Sequence, residues 1–318
     1  MEKRMEEHYL SNKSIFLTGG AGTLGKEIAE RRRVEGWAGR LTVFSRDTTK
    51  HSRMRAKYPD VNYVCGDIRN FDTLYAAMAG HDVVLHAGAV KVIPVSEFDS
   101  IDTIDVNVTG SLNVARAAVQ LGVESVMGIS TDKAAKPVNA YGATKMLLEK
   151  IWQEYSRKDF KTRFYLVRYG NVLESTGSVI EIWKKNYEDG YPVLITDDTM
   201  TRFFLSPSQA VQVMMDGFTF SQIGCIYVPI MPALSIKKLA EYTLPEGVEL
   251  RVRGLRPGEK MHEDLVTEEE TFYTEEHDKY FLIHPTTFTR FPQPSRRFAS
   301  DLAREMTREE LEELLENK

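Results

Sequence analysis

The strongest constraint on this chain is a change of hydrophobic period that recurs from Ser14 onward. The runs SIFLT, LTVFS, NYVC, DVVLHA, SVMGIS and FYLVRYG read as strands, and helical stretches begin near Thr23 and extend from about Val106 to Leu121 between them. Strands that take turns with helices pair in parallel, because each crossover returns the chain to the same end of the sheet. The apolar runs are nearly continuous, a pattern that requires cover on both faces. An α/β fold, a doubly wound parallel sheet, is therefore expected over residues 12–172.

Beyond Asn171 the pattern changes to loops rich in Pro, Gly and charge, with helical stretches near 178–188, 207–220 and 235–242 and short strands at PVLIT and CIYVP. Residues 173–318 read as a smaller α/β substrate-binding part, with room for the chain to cross back to the core. No low-complexity linker separates the parts, so the second is expected to pack on the carboxyl ends of the strands, where such sheets bind ligands. With 42% hydrophobic residues the 318-residue chain can build a sizeable core. A formal net charge of −5 argues against a nucleic-acid binder. Cys65 and Cys225 form no Cys-x-x-Cys pair and the seven histidines show no metal-ligand spacing, so neither a disulfide framework nor a metal site is expected. The charged start MEKRMEEHYLSNKS and the lack of a long apolar run predict a cytoplasmic protein without a membrane span. The acidic end REELEELLENK reads as a solvated helix.

The segment from Thr18 to Gly25, TGGAGTLG, follows a strand and opens a helix, which places Gly19, Gly22 and Gly25 in a G-x-x-G-x-x-G pattern. Glycines there let the backbone approach a pyrophosphate, whose charge meets free amides at the helix start, with Thr23 and Leu24 in the first turn. This is the signature of a Rossmann-type dinucleotide site. About twenty residues on, Ser45-Arg46-Asp47 and Lys50 stand where a ribose-binding carboxylate is usual. Arginine and lysine suit a 2′-phosphate and hence NADP, while Asp47 keeps NAD open. Asp67 and Ile68 after the third strand are candidates for the adenine edge, and Ala87, Gly88 and Ala89 after the fourth offer small residues for the coenzyme to lie against. Asn107 has an equal reading as a structural helix residue.

Tyr141 and Lys145 lie four residues apart on one face of a predicted helix. Tyr9 and Lys13 repeat that spacing ahead of the first strand, so position decides, and the second pair alone follows the fifth strand. A neighbouring lysine cation would favour the phenolate of Tyr141 as a base. Ser130-Thr131-Asp132-Lys133 closes that strand and brings a hydroxyl, a carboxyl and an amine to the sheet edge. Eliminating water beside a carbonyl needs a base for the carbon proton and an acid for the departing hydroxyl; Asp132 and Lys133 are candidates for both.

On Thr18 to Gly25, Phe44 to Asp47, His86 to Lys91, Ser130 to Ala134, Tyr141 to Lys145, Arg168 to Asn171, Met200 to Phe203 and Arg256 to Lys260, the sequence resembles the soluble, C5-inverting UDP-N-acetylglucosamine 4,6-dehydratases of the extended short-chain dehydrogenase/reductase superfamily. The resemblance implies NADP, a UDP-sugar substrate and a homo-oligomer. It assigns catalysis to Thr131, Asp132, Lys133, Tyr141 and Lys145, adds Lys91, Tyr169, Gly170 and Asn171 to the coenzyme contacts, and places Lys91, Asn171, Ser178 and Val179 near the sugar and phosphates. Met200, Thr201, Arg202, Arg256 and Glu259 are implied toward the nucleotide. The chain departs from the family at Val92, where relatives commonly carry histidine, and at Glu174-Ser175. A nucleotide-sugar epimerase would use the same coenzyme and Tyr141–Lys145 pair without an evident need for Asp132 and Lys133; a silent NADP(H)-binding sensor is the reading from another class.

Overall fold

The computed structural model describes residues 9–173, 179–287 and 290–316. Six parallel strands form its centre: β1 (Ile15–Thr18), β2 (Leu41–Ser45), β3 (Asn62–Cys65), β4 (Val83–His86), β5 (Ser125–Thr131) and β6 (Arg163–Tyr169). Their order is β3-β2-β1-β4-β5-β6, so the chain reverses direction across the sheet between β1 and β4 and leaves a crevice at their carboxyl ends. β1, β4 and β5 are buried along their whole length, the cover on both faces that their unbroken apolar runs require.

Strands of the later chain join this sheet. Ile226–Pro229 pairs in parallel with β6, and Tyr280–Ile283 and Thr274–Glu276 extend that edge antiparallel, giving nine strands in all. One large apolar cluster therefore draws on both halves of the chain, from Ile15 and Trp152 to Met214 and Phe281. A second, smaller cluster around Leu173, Trp183, Met200 and Leu239 forms the cap over the crevice. The terminal helix Arg308–Glu316 is solvated on one face only, since Leu311 is buried in that cap cluster.

One further difference from the sequence reading is local. The helix expected over about 106–121 begins as a wider π-helical stretch, Asp105–Thr109, before the α-helix Gly110–Leu121. Gly110 lets the helix pack close there, since a Cβ would lie 2.6 Å from the Ile68 side chain. Among the described residues no helix is long and apolar enough to cross a membrane.

Candidate active site

A cleft of about 1020 Å³ opens at the carboxyl ends of β1, β2, β4, β5 and β6 and runs beneath the cap. Its floor is the glycine loop. Gly19 has φ +66, and a Cβ on it would lie 2.7 Å from the backbone of Gly88, so the loops after β1 and β4 touch through bare backbone. Gly22 precedes the helix α1 (Thr23–Glu35); no side chain caps that helix and its first turn carries no acidic residue. Its leading amides are therefore left for an anion, which fits a dinucleotide's pyrophosphate. Gly25 is the packing glycine of the three. It does not line the cleft, and a Cβ there would strike the carbonyl oxygen of Gly20 at 1.8 Å.

Behind the floor, Thr18 Oγ1 sits 2.7 Å from His86 Nδ1 and accepts from the Gly88 amide at 3.2 Å. Burial, then the charge of Lys145, pushes His86 down to about 3, so the ring is neutral and serves as a post between strands. Asn107 is a second post and does not face the cleft. Its amide accepts from the Val90 amide at 2.7 Å and donates to the Val90 carbonyl at 2.9 Å and to Thr144 Oγ1 at 3.0 Å, which fixes the loop carrying Ala87, Gly88, Ala89 and Lys91.

Ser45, Arg46, Asp47, Lys50, Asp67 and Ile68 line the far end. Asp47 is engaged: its carboxylate caps the helix Thr48–Lys57 by accepting from the Lys50 amide at 2.9 Å and pairs with Lys50 Nζ at 3.3 Å. The Arg46 side chain is 54% exposed, and among the described residues its one ion pair is with Asp67 at 3.6 Å.

The opposite wall is built differently. Tyr141, Lys145 and Glu149 recur every four residues on the helix Ala140–Ser156, so one stripe faces the sheet. Glu149 accepts from Ser130 Oγ at 2.6 Å and from Arg168 at 2.9 and 2.7 Å; Arg168 reaches on to Glu270 at 2.9 and 2.7 Å and to the Leu265 carbonyl at 3.0 Å. This buried ion cluster joins β5, β6, the Tyr141 helix and the late chain. The sequence signal for Glu149 was its place one turn past Lys145, and it was missed.

Thr131, Lys133, Tyr141 and Lys145 line the cleft, with Asp132 fully buried directly behind. Lys133 Nζ donates to Asp132 Oδ1 and to Asn171 Oδ1, each at 2.9 Å, and Thr131 Oγ1 donates to the same Asp132 oxygen at 2.9 Å. The other oxygen, Asp132 Oδ2, is buried without a hydrogen-bond partner among the described residues. Burial opposes the Lys133 ammonium, yet Asp132 and then Glu263 outweigh it and hold its proton more tightly than usual. Burial pushes Tyr141 up to about 12 against the easing charge of Lys133. Lys133 is therefore a cation that eases Tyr141. Burial brings Lys145 itself down to about 8, opposed by Glu149.

The residues expected toward the nucleotide divide. Val179 and Arg256 line the cleft with Lys91, Tyr169, Gly170 and Asn171; Ser178, with Glu174 and Ser175, lies outside the described residues. Met200, Thr201, Arg202 and Glu259 do not line it. Met200 belongs to the cap core, and Thr201 Oγ1 sits between His262 Nδ1 and Ser300 Oγ at 2.8 and 2.7 Å. Arg202 is 6% exposed and donates to the carbonyls of Thr201, Met261 and Lys260, so it clamps the late-chain loop instead of meeting a diphosphate. Glu259 bonds the guanidinium and the amide of Arg256, closing the turn that presents that arginine.

The chain matches the model of a family described as polysaccharide biosynthesis protein over residues 15–285. It is 35% identical over 281 residues to an inverting UDP-N-acetylglucosamine 4,6-dehydratase of Campylobacter jejuni, covering 87% of this chain and 84% of that one. It is also 35% identical over 284 residues to a UDP-glucose 4-epimerase of Rickettsia bellii, covering 86% and 83%. Among solved structures, Pen from Bacillus thuringiensis superposes with a TM-score of 0.88 at 29% identity, covering 98% of this chain and 99% of that one. The chain thus belongs to the polysaccharide-biosynthesis family whose relatives include the inverting UDP-N-acetylglucosamine 4,6-dehydratases.

Proposed function

We propose that this chain is an NADP-dependent 4,6-dehydratase that converts UDP-N-acetylglucosamine to a UDP-2-acetamido-2,6-dideoxy-hexos-4-ulose. The observation that carries the reading is the buried Asp132–Lys133 pair beside Tyr141, because oxidation or epimerisation at C4 needs no such acid and amine. Gly19, Gly22 and the first turn of α1 would hold the dinucleotide's pyrophosphate, with Ala87 to Ala89 beneath its nicotinamide half. Ser45, Arg46 and Lys50 would meet a 2′-phosphate; the engagement of Asp47 as a helix cap weakens the alternative of a carboxylate on a free ribose diol. When bound, the nicotinamide supplies a hydride acceptor at C4 and a hydride donor at C6.

The residues of the chain account for the protons. Tyr141 first gives its own proton to solvent through the open cleft and, as the phenolate, takes the O4 proton; Lys133 and the Thr131 hydroxyl favour the phenolate against burial. Lys133 rests as an ammonium and becomes a base by passing a proton along its 2.9 Å hydrogen bond to Asp132. That single shift leaves a neutral amine and a carboxylic acid side by side. A substrate that seals the cleft favours this form, because a neutral pair loses less on desolvation than an ion pair. Lys133 then accepts the C5 proton made acidic by the C4 ketone, Asp132 protonates the O6 hydroxyl, and water departs as the original ion pair is restored; C5 regains a proton, from the Lys133 ammonium or from water, to complete the 4-ulose. Lys91 and Arg256, both on the cleft, suit the diphosphate.

Mass spectrometry of products from UDP-N-acetylglucosamine tests the reaction. Loss of one water is expected, whereas conserved mass would replace this reading with epimerisation. Lys133→Ala and Asp132→Asn should each lower kcat by about 10³-fold while NADP binding is kept, in line with the loss of a general acid or base. Unchanged turnover in both would remove the elimination chemistry, and a wild type that binds NADP(H) yet transforms no nucleotide sugar would favour a sensor.

A further inference from the structure

Glu263 is a buried carboxylate beside the catalytic loop that neither the sequence reading nor the proton steps above use, and unlike Glu149 it stands against Lys133 itself. It is 3% exposed. Its Oε1 stands 3.6 Å from Lys133 Nζ and 3.8 Å from Arg202 Nε, and its Oε2 stands 3.2 Å from Lys260 Nζ. Oε2 accepts no hydrogen bond among the described residues, so this oxygen is buried for its charge and not to complete a bonding pattern. Its backbone is pinned, with the amide donating to Ser300 Oγ at 2.9 Å and the carbonyl accepting from the Ser300 amide at 2.8 Å.

The surroundings show what the charge is for. Arg202 is spent on three carbonyls of the 201–261 region, and Lys260 donates to the Ala135 carbonyl at 2.6 Å, tying the late-chain loop to the catalytic loop. The same loop reaches the start of the Tyr141 helix, where the Gly258 carbonyl accepts from Asn139 at 2.7 Å and Asn139 caps that helix. Both cations hold backbone, and Glu263 stands between them and Lys133. The charged groups facing Lys133 are thus Asp132 from its own loop, Glu263 and Arg202 from the late chain and β-strand Thr201–Leu205, with Tyr141 across the cleft and Asn171 as a neutral acceptor.

We propose that Glu263 is a positioning residue for the dehydration, a second counter-charge that keeps the Lys133 amine on the cleft side of Asp132 and raises its proton affinity as a base. When Asp132 is neutral, having received the proton it will give to O6, Glu263 is the remaining anion next to Lys133. The ammonium formed as the C5 proton arrives is then still paired. Without Glu263, that ammonium would form between a neutral acid and the cation of Arg202. The inference rests on the dehydratase reading.

The test is Glu263→Gln, which keeps shape and removes the charge, with Glu263→Asp as a variant that keeps the charge and draws it back. In the ligand-free enzyme, labelling of Lys133 by trinitrobenzenesulfonate, followed across pH by peptide mass spectrometry, reads the amine's proton directly. The labelling midpoint should move to lower pH in Glu263→Gln and return part of the way in Glu263→Asp. In turnover, kcat and deuterium exchange at C5 should fall together by about tenfold or more in Glu263→Gln, with KM and NADP affinity near wild type, as for an interaction made only in the transition state. A wild-type labelling midpoint in a folded Glu263→Gln protein would overturn the inference even if kcat fell. If the wild type forms no dehydrated product, the dehydratase reading fails instead, whatever the midpoint does.

Discussion

The two walls of the cleft are made by different physics. On the coenzyme side the shape is backbone, set by Gly19 against Gly88 and by an uncapped helix start, and the charges are exposed, as with Arg46 at 54% exposure on a 3.6 Å pair. On the catalytic side the charges are buried or nearly so and are paired in a chain: Asp132 to Lys133, Lys133 to Glu263, Glu149 to Arg168, Arg168 to Glu270. Exposed pairs contribute little, whereas a buried pair is costly to form and more costly to break. The first wall suits a ligand that brings its own phosphates and neutralises loose cations. The second suits proton transfer, where an error of an ångström matters and the groups must already be in place.

The contrast breaks most visibly at Arg168. Arg168→Met leaves Glu149 and Glu270 without their shared cation in a buried site, and should destabilise the fold by about 3–5 kcal/mol in denaturant unfolding. Removing the nearest carboxylate as well, in Arg168→Met/Glu149→Leu, should recover part of that loss, because an apolar replacement carries no unpaired charge. If the single variant melts like wild type, the catalytic wall is not the stiff element described. Lys145 sharpens the same point through pH. Its proton is held less tightly folded, down to about 8, than the ordinary value of 10.5 in the unfolded chain. Below pH 8 both states carry the charge and the folded state bears the full cost of burying it; between pH 8 and 10.5 the unfolded chain alone binds the proton, so stability rises with pH. Lys145→Met should therefore stabilise the coenzyme-free protein at pH 7, by on the order of 2 kcal/mol, and the advantage should shrink toward pH 10. An advantage independent of pH would mean that the amine is not buried as a charge.

The two walls also differ in how far the sequence discloses them. The coenzyme wall is local: a strand, a glycine turn and the start of a helix follow one another directly in the chain, so spacing alone places Gly19 and Gly22 at an uncapped helix start. Even so, spacing did not separate Gly22, which faces the cleft, from Gly25, which packs on Gly20, since both answer to one pattern. The catalytic wall is assembled from residues far apart in the chain, Lys133 with Asn171 and Glu263, and Glu149 with Arg168 and Glu270. Type and spacing picked out Asp132, Lys133 and Tyr141 on one loop and helix. The resemblance placed Arg202 and Glu259 toward the nucleotide; in the fold, backbone carbonyls and Arg256 take them first. The antiparallel edge Thr274–Ile283 escaped for a related reason: its pairing with Ile226–Pro229 is set by the return of the late chain to the large core.

The smallest expected effect lies on the coenzyme wall and tests its looseness. Arg46 is the guanidinium best placed to meet a 2′-phosphate, and it has no short bond to give up. A charge-assisted contact of this kind contributes about 1.5–3 kcal/mol, so Arg46→Ala should weaken NADPH binding by roughly tenfold to a hundredfold. NADH, which lacks the phosphate, should bind the variant much as it binds wild type. The melting temperature without coenzyme should also stay near wild type, because an exposed 3.6 Å pair with Asp67 adds almost nothing to stability. Fluorescence titration with both coenzymes separates the outcomes. Equal losses for NADPH and NADH would show that Arg46 holds the shared part of the dinucleotide, and no loss for either would leave the preference to Ser45 and Lys50 or remove it.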